Sequence, residues 1–255
     1  MSCPRFSSAA LVLLMTSLGF SQELPLAEQP LDLEVLANWK HRTYTIYDGQ
    51  IRNTIYNGSK VYETSRTAAG YVTMRTRVTE SEIVLEEQWG SCCRRGASLR
   101  VALHYLPDDL INIQRMVVWH NDQKSEFDMT RDKFELEIDG EFYAGPWPEG
   151  TLARAALMRF VTFLPRDADT RFQFDKFTIT PEPYIADENV GQIECRGPAS
   201  LCFRGRQVEC TRYTVDQVDF WVRNEDNVLL LVKKPDGSGM VLTDRPGDAP
   251  WLCDK

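Results

Sequence analysis

The chain has 255 residues, 43% of them hydrophobic, with 29 Lys+Arg against 37 Asp+Glu and a net charge of −8. That length holds one large domain or two small ones, and it can bury a core without covalent staples. The acidic balance argues against nucleic acid, whose phosphates demand a basic patch, and against electrostatic docking on anionic lipid.

Arg5 precedes an apolar run from Ala9 to Phe20, which Ser21, Gln22 and Glu23 break. A positive start, an apolar core and a small-residue exit predict a secretory signal peptide over residues 1–22, cleaved between Ser21 and Leu24. The run falls short of the ~20 apolar residues that span a bilayer. No later segment is apolar for as long, so the sequence predicts an exported protein, periplasmic or extracellular. After cleavage it would be soluble, with no transmembrane segment, and residues 23–255 would form a single β-rich domain. Seven cysteines occur; Cys3 falls in the signal segment, leaving Cys92, Cys93, Cys195, Cys202, Cys210 and Cys253. An even count in an exported chain favours disulfides.

Residues 27–39 predict a short helix, with Pro30 in its first turn and Leu31, Val35 and Trp39 at four-residue spacing. From Arg42 onward, short runs of β-branched and aromatic residues follow one another: TYTIY, KVYET, GYVTMRTRV, EIVLEEQW, SLRVALHYL, INIQRMVVWH, KSEFDM and KFELEI. Several alternate. Val72, Met74, Thr76 and Val78 face away from Tyr71, Thr73, Arg75 and Arg77, and Phe134, Leu136 and Ile138 share a face opposite Lys133, Glu135 and Glu137. Turn signals separate the runs at Asp48-Gly49, Asn57-Gly58, Ala69-Gly70, Pro107-Asp108-Asp109, His120-Asn121-Asp122 and Asp139-Gly140. This is the pattern of an antiparallel meander.

Residues 151–163 (TLARAALMRFVTF) interrupt it. Gly150 and Pro165 bound a helix whose polar residues are chiefly Arg154 and Arg159, and a helix so apolar must be largely buried. Strands then resume as RFQFDKFTI, VGQIECR, GRQVECTRYTV, QVDFWVR, NVLLLVKK and GMVLT. The patch Thr180-Pro181-Glu182-Pro183 is the best candidate joint, but one continuous sheet is preferred to two domains.

Cys92-Cys93-Arg94-Arg95 admits two readings. Adjacent arginines can depress a thiol pKa and create a reactive thiolate; the alternative is two structural cysteines in a turn. Cys195, Cys202 and Cys210 bracket a loop between two strand-like segments. Pairing of those segments predicts a Cys195–Cys210 disulfide, with Cys202 to Cys210 or Cys253 as the alternative. His41, His104 and His120 are scattered, and the sequence holds no Gly-x-Ser-x-Gly elbow, no His-Glu-x-x-His and no glycine-rich phosphate loop. No metal site or cofactor is predicted. Asn57-Gly58-Ser59 matches a glycosylation sequon, and a hairpin turn explains it equally well.

Aromatic residues recur down the strands, and they fit either an ordinary core or a curved sheet whose apolar hollow holds a greasy ligand. The predicted architecture is mainly β: a strongly curved antiparallel sheet, a half-open barrel, with one or two helices covering the concave face. The candidate ligand-binding residues are Leu157, Met158 and Phe160 on the covering helix, with Trp119 and Trp221 on strands.

Three places resemble exported bacterial proteins of unknown function related to the periplasmic lipoprotein carriers and localisation factors. They are the opening hairpin at Asn57-Gly58-Ser59-Lys60-Val61-Tyr62, the helix 151–163 followed by Leu164-Pro165, and the closing segment 206–234 (RQVECTRYTVDQVDFWVRNEDNVLLLVKK). Arg223 stands where that pattern prefers Asp, and Asn227 where it prefers Gly. The resemblance implies the same half-open barrel plugged by helices, and binding of lipids or acyl chains without catalysis. Three functions follow as expectations. The first is a non-catalytic binder of an apolar or lipid-like ligand or envelope partner. The second is a thiol-dependent or hydrolytic enzyme using Cys92 or Cys93. The third is an envelope assembly factor without a small ligand.

Overall fold

The structure is a computed structural model that describes residues 23–56, 59–91, 99–120, 123–130, 133–138, 141–146, 152–179 and 186–245. The signal segment 1–22, Cys92, Cys93, Cys253, the 180–183 joint and the turns at 57–58, 121–122 and 139–140 lie outside these residues, as do the side chains of 133–138.

Strand β1 (Glu23–Pro25) leads through a 3-10 turn at Leu26–Glu28 into helix α1 (Leu33–Ala37). A first meander follows: β2 (Arg42–Tyr56), β3 (Ser59–Val78), β4 (Ile83–Ser91), β5 (Leu99–Tyr105), β6 (Arg115–His120) and β7 (Gln123–Asp128). After a separate two-stranded pair, β8 (Lys133–Ile138) and β9 (Glu141–Pro146), comes helix α2 (Arg154–Phe160). A second meander completes the described chain: β10 (Arg171–Ile179), β11 (Ala186–Phe203), β12 (Arg206–Val215), β13 (Val218–Arg223), β14 (Leu229–Lys233) and β15 (Gly239–Thr243).

Both meanders belong to one sheet of 13 strands, in the order β1-β10-β11-β12-β13-β14-β15-β2-β3-β4-β5-β6-β7. The weld between them is the antiparallel pair β15–β2, in register from Gly239 opposite Tyr47 to Thr243 opposite Thr43. Strand β1 lies parallel on β10. Strands β1 and β7 end the sheet, so it is large, curved and unclosed, with helices on its concave side. The flanks of the 180–183 joint, β10 and β11, pair directly within this sheet.

Two predicted turns are not turns. Strands β2 and β3 run straight through Asp48-Gly49 and Ala69-Gly70, because the long hairpin pairs Gly49 with Arg66 and Tyr47 with Ala68. Gly70 serves close approach instead: a β-carbon there would lie 2.8 Å from the Gly90 carbonyl oxygen on the neighbouring strand. True two-residue turns occur at Arg204-Gly205 and Asp216-Gln217, each with both residues at positive φ, the twist that hairpins favour. Asn227 is also left-handed, with φ 58°, at the position where the resembled pattern has Gly.

Bulges decide which face each residue takes. In β11 the register shifts between Cys195 and Gly197, where Gly197 has φ 79°. Before the bulge Ile193 and Cys195 point into the main core; after it Leu201 and Phe203 join a second cluster on the opposite face. Further shifts occur at Ile46/Tyr47 and Trp221/Val222.

The main core lies between the concave face and its cover. The sheet contributes Tyr44, Val72, Met74, Leu85, Phe172 and Phe220; the cover contributes Leu36 and Trp39 near α1, Leu110 and Ile111 after β5, and Ala156 and Phe160 of α2. Helix α1 starts later than Pro30 predicts, because the Asp32 carboxylate accepts from the Glu34 and Val35 amides at 3.1 and 2.9 Å and fixes the first turn there. Helix α2 is shorter than the predicted 151–163. Its last turn tightens as Thr162 N–H donates to the Arg159 carbonyl at 3.0 Å and Phe163 N–H to that of Phe160 at 3.1 Å. Beyond it, the Tyr213 hydroxyl donates to the Leu164 carbonyl at 2.9 Å, tying the helix exit to β12.

Neighbours on one short helix therefore differ in burial: Phe160 is 1% exposed, whereas Leu157 is only partly buried. Phe160→Ala is expected to destabilise by ~3–5 kcal/mol in urea unfolding. Leu157→Ala should cost less than the ~2 kcal/mol at the low end for core leucines. Equal costs would place both side chains in the same close-packed environment and contradict this arrangement.

Candidate functional site

Helix α2 does not fill the hollow completely. A cavity of about 350 Å³ remains between it and the sheet. Its sheet wall is apolar, from Ile46, Val215, Val218, Phe220, Val232 and Met240, and its roof is Leu157 and Met158. This volume is at the low end of the ~300–1,000 Å³ usual for small-molecule sites. Charged and polar side chains lie at the rim: Arg154 at the start of α2, Asp216 in the β12–β13 turn, and Lys234 and Ser238 in the β14–β15 turn.

That second turn is tightly organised. Lys234 N–H donates to the Ser238 carbonyl at 2.8 Å and Gly237 N–H to the Lys234 carbonyl at 3.0 Å. The Asp236 carboxylate accepts from the Ser238 hydroxyl and amide at 2.6 and 2.8 Å, and these bonds hold it below the usual carboxylate range.

Beside the cavity, α2 is fastened by a buried cation. The Arg159 side chain has no solvent exposure and lies in the core. Its guanidinium donates to the Ala155 carbonyl at 3.0 Å, to the Arg75 carbonyl at 3.3 Å and to the Thr76 hydroxyl at 3.3 Å. It lies 4.7 Å from the Trp39 ring centroid and 3.5 Å from the Glu87 carboxylate. Burial pushes the arginine pKa down, and Glu87 opposes that shift. Glu87 also accepts from the Trp89 indole at 3.2 Å and from Arg154 at 3.4 Å, while the Arg154 guanidinium covers the Trp89 ring at 4.3 Å. The Tyr105 hydroxyl is buried with no hydrogen-bond partner among the described residues, and burial raises its pKa far above the ordinary phenol value.

The five candidate ligand residues do not form one site. Leu157 and Met158 line the cavity, and Phe160 packs in the core beside it. Trp119 and Trp221 are on the other face of the sheet, which corrects the expectation that they line the hollow. Trp221 alternates with inward-facing Phe220 and joins Tyr47, Phe203 and Cys210 in the second cluster. Trp119 packs with Val84, Ala102 and Val117, with the Arg100 guanidinium 4.3 Å from its ring. Strict alternation in QVDFWVR already placed Phe220 and Trp221 on opposite faces. Trp89 was legible only as one aromatic among many, Arg154 only as a polar residue of the helix, and nothing in the sequence singled out Asp216, Lys234 or Ser238.

The predicted Cys195–Cys210 disulfide is also corrected. Both are buried free thiols. The hairpin register sets Cys195 opposite Tyr213 and Cys210 opposite Ala199, and the intervening bulge sends the two side chains to opposite faces. Burial pushes both thiols up, Cys210 to about 11. Cys202 is disulfide-bonded. In the native protein at mildly alkaline pH, Cys195 and Cys210 are expected to resist iodoacetamide, because few of their sulfurs are ionised or accessible. Both should label after denaturation without reductant. Failure to label then, or rapid native labelling, would contradict the assignment.

No family model matches the chain, and no curated protein matches it in sequence. A solved structure described as a β-barrel-like protein of a domain of unknown function, DUF1849, from Brucella abortus is similar over 84% of this chain and 98% of that one, with 10% identity and a TM-score of 0.38. Among the described residues no His, Cys, Asp or Glu cluster is placed to hold a metal ion, and no helix is long and apolar enough to cross a membrane.

Proposed function

We propose that the chain is an exported, non-catalytic binding protein of the bacterial envelope. It takes an apolar or lipid-like ligand into the cavity beneath α2, in the manner of the half-open barrels of the lipoprotein-carrier group that its sequence resembles. The observation that supports this most is the composition of the cavity. Most of its lining side chains are apolar, its charged groups are Arg154, Asp216 and Lys234, and the Ser238 hydroxyl that lines it is bonded to the Asp236 carboxylate within its own turn. An apolar space of this size bordered by a polar mouth favours a molecule with a greasy body and a wet end.

Two measurements test this. Native mass spectrometry after gentle extraction from the host should show an added mass that organic solvent removes. Leu157→Trp, which fills the roof of the cavity with a larger side chain, should abolish that mass while the protein stays folded. If the unmodified protein carries nothing and shows no saturable uptake of a long-chain alcohol, the proposal is wrong.

A further inference from the structure

The rim of the cavity carries more information than its walls. Three charged side chains line it among the described residues: Arg154, Lys234 and Asp216. The balance is one net positive charge, on a chain whose total is −8. Arg154 is well placed to act on a ligand. Its side chain is 58% exposed, its guanidinium lies 4.3 Å from the Trp89 ring centroid, and among the described residues it donates one hydrogen bond, to Glu87. A guanidinium has five N–H donors in a fixed fork, so most of that fork is left for another acceptor. Lys234 approaches the same rim from the β14–β15 turn, whose backbone is locked by the bonds around Ser238 and Asp236. The Asp236 carboxylate is committed to Ser238.

We infer that the cavity takes a single-chain amphiphile with an anionic head group, its chain beneath α2 and its carboxylate or phosphate between Arg154 and Lys234. The inference rests on the binding function proposed above and adds the chemical class of the ligand. Arg154 and Lys234 act as head-group readers. Charge-assisted hydrogen bonds from a guanidinium and an ammonium at the mouth of a low-dielectric pocket favour an anion over a neutral alcohol of equal length. Asp216, on the β12–β13 turn, adds one opposing charge to the same rim.

Calorimetric titration of the intact mature protein tests this with four probes of one chain length: dodecanoate, dodecyl phosphate, dodecanol and dodecyltrimethylammonium. At low salt at least one anionic probe should bind about tenfold or more tighter than dodecanol, and added salt should narrow that gap. The stronger of the two anions identifies the head-group source. Lys234→Gln, on an exposed turn, should lower the ratio of anionic-probe affinity to dodecanol affinity; Arg154→Gln with Lys234→Gln should bring that ratio to about one. Folding of each variant is checked by thermal melting, and the single lysine variant keeps the test valid if the double one unfolds. Equal binding of all four probes overturns the head-group inference and leaves the apolar cavity function standing. Tightest binding of the ammonium probe overturns it in favour of Asp216. Binding of none overturns both.

Discussion

A fully buried guanidinium holds the concave side of this protein together. Removing a charge from water costs several kcal/mol even after relaxation, and the cost is met only where partners surround the ion. Arg159 has such a shell: backbone carbonyls of Ala155 and Arg75, the Thr76 hydroxyl, the Trp39 ring and the Glu87 carboxylate. Those partners come from α2 itself, from β3, from β4 and from the segment after α1. Helix α2 has seven residues and no side-chain cap at its start, so its own hydrogen bonds hold it weakly. Its place on the sheet is set by the arginine and by the apolar faces of Ala156 and Phe160.

The position of α2 then determines what the hollow can contain. The first meander supplies β3 and β4 to the arginine, and the second supplies β13 and β14 to the cavity wall; the β15–β2 pair joins the two halves. With α2 pinned at Arg159, Leu157 and Met158 line the cavity together with Phe220, Val232 and Met240 of the sheet. Glu87 links the two regions, since it faces Arg159 in the core and receives Arg154 and the Trp89 indole toward the rim. Through Glu87, the buried fastening of the cover is linked to Arg154 and Trp89, which line the cavity.

Much of the architecture was legible in periodicity. Val72 and Met74 alternate with Tyr71, Thr73 and Arg75, and both are buried on the concave side. The helix near 151–163 was visible because Ala, Leu and Met crowd between Gly150 and Pro165, although the tightening of its last turn was not. Single-residue events were not legible. The bulge at Gly197 reverses the faces of β11 and separates Cys195 from Cys210, and no composition rule locates it. Arg159 reads in sequence as an ordinary polar position; its burial depends on Glu87, Thr76 and Trp39 arriving from distant strands. Trp119 and Trp221 read as strand aromatics, and only the cover on the opposite side of the sheet decides that theirs is the outer face.

The central claim is that the Arg159–Glu87 contact holds α2 over the hollow. A double-mutant cycle with Arg159→Met and Glu87→Leu, read by urea unfolding, tests it most directly. Each single change should cost ~3–5 kcal/mol, because it leaves the other group buried without its opposite charge in the core. The double change should cost clearly less than the sum of the two, with a coupling above ~1 kcal/mol. Single changes of under ~0.5 kcal/mol with additive effects would show that the pair does not hold the helix and would contradict the account.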